Sequence, residues 1–348
     1  MVLSQKMNYK NMFSEHLAKN ICTSEVEMQP NRHGYGEGLL EAGRRDERVV
    51  ALAADLTEST RTHLFAEEFP ERFIQCGIAE QNMASVASGM AVMGKIPFIA
   101  SYAMFSPGRS WEQVRTTIAY NNANVKIIGA HAGISVGPDG ATHQAIEDIA
   151  IMRVVPNMVV IAPSDVHEAR KAVLAAAQYD GPVYIRLERS PSPVVTTPHT
   201  SFHIGVAEYM YQNTDIGTQK IGIVVTGSLL HNALLAAVAL VEDGFGVSVL
   251  HMPTVKPLDT DKLDDIASRH DFIVTVEEHQ AYGGLGSAVA EYLSYVNPIK
   301  IARVGVNDQF GQSGEPDELI KHYGLDATSI VEVAKFFTLR SRNISHSF

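Results

Sequence analysis

Residues 125–144 read VKIIGAHAGISVGPDGATHQ. The first six form a short apolar run that predicts a strand over 125–130. The rest changes character, with Gly133, Gly137 and Gly140 spaced among His131, Asp139 and His143. Glycines let a backbone turn sharply. A loop of this kind at the carboxyl end of a strand is where open α/β sheets bind ligands.

The same alternation extends to both sides. Strands are expected at 49–53, 72–75, 97–101, 158–162 and 183–186. Helices are expected at 35–43, 62–69, 79–93, 110–120, 144–152 and 166–178. Continuous apolar strands alternating with helices indicate a mostly parallel sheet covered on both faces. Residues 189–200 (RSPSPVVTTPHT) hold three prolines and read as a linker. The alternation then resumes, with strands at 221–226, 247–251, 272–276 and 300–304. Helices are expected at 229–242, 261–269, 284–295 and 330–337. The fold class is therefore α/β, with two three-layer domains. The expected boundaries are an arm at 1–28, a first domain at 29–190, a linker at 191–202 and a second domain at 203–348. Residues 1–28 show no sustained period and read as a loose arm or a short helix.

The 348 residues are enough for two cores. A net charge of −11 disfavours nucleic acid and anionic membranes as partners. An anionic substrate would need a local cluster of positive groups. Two cysteines, Cys22 and Cys76, make no disulfide framework. The best apolar stretch, 84–105, is interrupted by Lys95 and Pro97, which argues against a membrane span. A cytoplasmic protein is the expectation.

Four features carry candidate chemistry. In GIAEQN (77–82), Glu80 stands at a helix start, where a carboxylate also simply favours the helix dipole. The histidines and aspartate of 131–144 could converge on a ligand or be ordinary loop polarity. Their spacing matches no metal motif, and no metal ligands are expected in this chain. Tyr102 and Phe105 follow a strand, a place where aromatics are usually core. Arg32, Arg61, Arg109, Arg186 and Arg189 lie beside strands or loops, where they could clamp an anion or face solvent. YGGLG (282–286) lacks the full dinucleotide pattern and reads as tight packing at a helix start.

Together these segments resemble the transketolase family of thiamine-diphosphate enzymes. The likeness covers about residues 30–340 and rests on ADLT (54–57), 77–83, 101–115 and above all 131–144. It implies a pyrimidine-binding domain followed by the transketolase C-terminal domain. The family's diphosphate-binding domain, with its Gly-Asp-Gly motif and downstream Asn for Mg²⁺, is missing here. That implies a split enzyme whose N-terminal subunit holds the diphosphate and Mg²⁺, with self-association inside a heterotetramer.

Carried over by position, Glu80 matches the glutamate that contacts N1′ of the cofactor's aminopyrimidine. Phe105 and Tyr102 match the aromatics that stack on that ring. Asp55 matches an aspartate near the cofactor and the subunit contact. His131 and His143 match histidines that bind substrate hydroxyls and phosphate, and Asp139 an aspartate that reads a sugar hydroxyl. Arg32, Ser59 and Arg189 match sugar-phosphate positions. The implied activity is transfer of a two-carbon ketol unit from a ketose phosphate to an aldose phosphate.

The chain departs from the family at Gly108 and Arg109, where a third aromatic often sits. Deoxyxylulose-phosphate synthases share a run like VPNM (155–158) but carry an aspartate near the position of His131. The beta subunits of 2-oxo-acid dehydrogenases lack the Asp139…His143 loop. A synthase-like or specialised ketol transferase, and a noncatalytic scaffold subunit, are the alternatives.

Overall fold

A computed structural model describes residues 12–23, 25–217 and 219–344. In the first domain, strands β1 (Val49–Ala53), β2 (Phe73–Gln75), β3 (Ile96–Tyr102), β4 (Lys126–Ala130), β5 (Val159–Ile161) and β6 (Val183–Arg186) pair in parallel. Helices α1 (Asn31–Arg45), α2 (His63–Glu68), α3 (Glu80–Val92), α4 (Asp148–Arg153) and α5 (Val166–Gln178) connect them. Side chains alternate across each strand. Leu52, Ile99 and Ile127 therefore join one apolar layer, while Ala51, Phe98 and Ile128 join the other. This two-sided burial explains why the strands read as continuous apolar runs.

The second domain contains β7 (Glu208–Asn213), β8 (Lys220–Val225), β9 (Gly246–His251), β10 (Thr254–Lys256), β11 (Phe272–Gln280) and β12 (Lys300–Val306). Helices α6 (Leu230–Glu242), α7 (Thr260–Arg269), α8 (Leu285–Val296), α9 (Pro316–His322) and α10 (Ala327–Ile344) complete it. Its sheet runs β12-β11-β8-β9-β7, parallel except for β7. Strand β10 leaves this domain and pairs antiparallel with β5, so the first sheet runs β10-β5-β6-β4-β3-β1-β2.

Three sequence expectations need correcting. The arm is docked over 12–23: Leu17 and Ile21 are buried in the second domain's core, and Phe13 bridges to Tyr211. Residues 1–11 and 24 lie outside the described residues. The Pro-rich connection, read as a linker, is packed against its surroundings. The Asp165 carboxylate caps α5 at Glu168 N–H and also accepts from Val195 N–H, Thr196 N–H and the Thr196 hydroxyl. Strand β11 continues four residues past its expected end, because Glu277, Glu278 and His279 are buried at its tip. Glu277 accepts from the Leu285 and Gly286 amides at 2.7 and 2.8 Å, and a Cβ on Gly284 would lie 1.9 Å from its carboxylate. The glycines of 282–286 thus serve close packing at a helix start.

Candidate active site

The first sheet ends on a wall of rings. Tyr102 closes β3 and stacks on His131, which follows β4, with centroids 3.9 Å apart and planes at 19°. Phe105 lies 6.1 Å from Tyr102, and His143 meets Phe105 edge-on at 5.6 Å. The chain returns on itself here, so the two ends of the 131–144 loop reach the same rings. His131 has φ +53°, and its buried Nδ1 has no hydrogen-bond partner. Burial pushes its imidazole down to about 3, helped by Arg32, Arg189 and His143. It is therefore neutral at physiological pH.

Glu80 is the first residue of α3 and is 1% exposed. The Ser101 hydroxyl lies 3.5 Å from its Oε1. Arg109 Nη1 donates to its Oε2 at 2.9 Å, and the guanidinium carbon lies 4.6 Å from the Phe105 ring centroid. Glu80, Arg109, Phe105, Tyr102 and the two histidines therefore form one connected series. The sequence marked Arg109 as an anion candidate and as a departure from the family's third aromatic; its link to Glu80 needed the turn at 102–109 to be seen. That side chain is 47% exposed, so it has room to turn away from the carboxylate.

Positive charge gathers beside the rings. Burial, then Arg61, holds Arg32 below the usual guanidinium range, and Arg189 adds to this. Arg32 Nη1 donates to the Ser59 carbonyl at 2.7 Å, and Arg189 Nη1 to the Val136 carbonyl at 2.8 Å. Arg61 Nη2 lies 2.7 Å from His33 Nε2, a residue the sequence reading passed over. Arg186 is not an anion clamp. It is fully buried, paired with Asp148 and Glu188, and donates to the Glu278 carbonyl at 2.7 Å.

Asp55 and Asp139 are exposed, and among the described residues their carboxylates have no hydrogen-bond or ion-pair partner. Asp55 is fixed through its backbone, whose N–H donates to Gln75 Oε1 at 2.9 Å. Gln75 also donates to the Thr57 hydroxyl at 3.0 Å, a connection invisible in the spacing. Among the described residues, no three His, Cys, Asp or Glu side chains gather into a metal set. No helix among them is long and apolar enough to cross a membrane.

Comparison with known families bears on the fold and the family. The family described as "Transketolase, pyrimidine binding domain" matches residues 27–194, and "Transketolase, C-terminal domain" matches 211–330. The chain belongs to the transketolase family. A relative from Methanocaldococcus jannaschii, named "Putative transketolase C-terminal section", is 46% identical over 305 residues, covering 86% of this chain and 94% of that protein. Another transketolase subunit, "6-deoxy-6-sulfo-D-fructose transketolase subunit SqwH" of Clostridium sp. (strain MSTE9), is 40% identical, covering 91% and 97%. A solved transketolase structure, "Split gene transketolase, inactive beta4 tetramer", superposes with a TM-score of 0.81 at 44% identity, covering 88% of this chain and 97% of that one.

Proposed function

We propose that this chain is the C-terminal subunit of a split transketolase. It transfers a two-carbon ketol unit from a ketose phosphate to an aldose phosphate. A partner subunit holds the diphosphate of thiamine diphosphate and its Mg²⁺, within a heterotetramer in the cytoplasm. One observation carries the reading: a buried carboxylate, Glu80, joined through Arg109 to the ring wall of Phe105 and Tyr102. Two residues before Glu80, at the same end of α3, the apolar side chain of Ile78 is 74% exposed.

The residues fit the pyrimidine end of thiamine diphosphate. When bound, that cofactor supplies an acidic thiazolium carbon and an electron sink. Glu80 would hold a proton against the N1′ ring nitrogen once Arg109 turns aside. Phe105 and Tyr102 would hold the ring by stacking, and Asp55 would lie near the cofactor and the subunit contact. His131 and His143 would hydrogen-bond the sugar hydroxyls, and Asp139 would read one of them. Arg32, Ser59 and Arg189 would take the sugar phosphate, giving the local positive potential that an acidic chain otherwise lacks.

The test is reconstitution. The chain alone should show no ketol transfer. With a subunit carrying the diphosphate-binding domain it should convert a ketose phosphate and an aldose phosphate in the presence of thiamine diphosphate and Mg²⁺. Full activity from the isolated chain would sink the proposal, as would an inactive, fully assembled complex.

A further inference from the structure

We propose that the second domain moulds the 131–144 loop, with Glu278 as its positioning residue. The inference rests on the reading above only in taking this loop to face substrate. Glu278 lies near the tip of β11 and is buried. Its Oε1 accepts from the Ser135 amide at 2.6 Å, inside the loop. Its carbonyl accepts from Arg186, which anchors it to the end of β6. The loop has thus handed one of its own amides to a carboxylate of the other domain.

The three glycines of the loop point to the same conclusion. A Cβ on Gly133 would stand 2.3 Å from Glu278 Oε1. On Gly137 it would stand 3.2 Å from the Gly314 carbonyl, and on Gly140 2.6 Å from the Ser313 hydroxyl. Every one of these neighbours belongs to the second domain. The glycines therefore do more than permit turns at positive φ; they let a foreign surface press against the backbone.

The far end of the loop is held in the same way. Gln144 is buried, and its amide donates to Gln312 carbonyl at 3.0 Å and to Ile134 carbonyl at 3.1 Å. Beyond it, the Gln280 amide donates to Ile146 carbonyl at 2.8 Å. His131 and His143 stand at the two ends of the clamped stretch. A loop free of these anchors would sample many backbone states, and ordering them would be left to the substrate. Glu277, the neighbour of Glu278, has its carboxylate on α8 instead and makes a natural control.

Hydrogen exchange on the full chain, followed by mass spectrometry, tests this without sugar or cofactor. Glu278→Ala should speed exchange of amides in 131–147 by about 10-fold, because the Ser135 amide loses its buried acceptor. Amides of β1 and β3 should be unchanged. Glu278→Gln keeps an acceptor oxygen and should stay within about 2-fold of wild type. If Glu278→Ala does not fold, Gln144→Met frees the other end and should give the same local increase. Unchanged exchange in 131–147, or a Gln variant as fast as the Ala variant, would overturn the proposal. Neither result bears on whether the assembled enzyme transfers ketol units, so the two readings fail separately.

Discussion

At the carboxyl ends of β3 and β4 the first domain carries Tyr102 and His131; at the tip of β11 the second carries Glu277, Glu278 and His279. Both rims hold ionisable groups at the place where α/β sheets bind ligands. Their surroundings differ. On the first rim Glu80 is matched by a half-exposed arginine, and two exposed aspartates have carboxylates with no partner among the described residues. On the second, Glu277 is consumed by two helix amides and Glu278 by an amide of the other domain. A strand-end carboxylate is a chemical resource only where the chain leaves it something to do. The first rim keeps polar groups unspent, and the second is spent on holding the first.

The comparison can be broken most sharply at Glu80. Glu80→Gln keeps the side chain's size and removes its exchangeable carboxyl proton. In the reconstituted enzyme it should cut ketol transfer by about 10²- to 10⁴-fold, as loss of a general acid or base does. Near-normal turnover by a folded variant saturated with cofactor would remove Glu80 from the chemistry.

Glu277→Ala should act on the other side of the ledger. Two buried helix amides lose their acceptor, which costs about 1–3 kcal/mol. Thermal unfolding should shift down, while kcat at a temperature where the variant is folded stays near wild type. A large fall in kcat without loss of stability would mean that the second rim is also chemical.

The smallest effect concerns His131. Its pKa of about 3 lies below the unfolded value near 6.5, so the folded state binds fewer protons between those limits. The stability that follows is complete above pH 6.5 and is lost as the pH falls toward 3. Imidazole resonances of labelled chain should show His131 still neutral at pH 5. A midpoint near 6.5 would place it in water rather than against Tyr102.

Much of the first rim was legible because its residues lie within short runs. The strand before Glu80, the aromatics after β3 and the loop after β4 each announce themselves in consecutive residues. What escaped depends on distant pairings. In the sequence Arg186 reads as an anion clamp or a solvent-facing residue: Glu188 stands two residues on, but nothing local reveals that Asp148 pairs with it or that both are buried. Glu277-Glu278-His279 looked like the end of a strand because three ionisable residues in a row normally mark a surface; here each side chain is buried against a partner outside the strand. The three residues of β10 were too few to carry a period, and their neighbour β5 lies almost a hundred residues earlier. The apparent linker was legible in composition but not in packing, since its order comes from distant partners: the Asp165 carboxylate, the Lys171 ammonium and the backbone at 27–29.

Strand β10 also constrains how such an enzyme can be cut into separate genes. Separating the chain between residues 194 and 211, where the two family matches part, would strip β5 of its outer neighbour. The bared backbone would invite pairing with other chains, a familiar route to aggregation. The two domains are therefore expected to travel through evolution as one inheritable piece, joined by a strand as well as by a peptide bond.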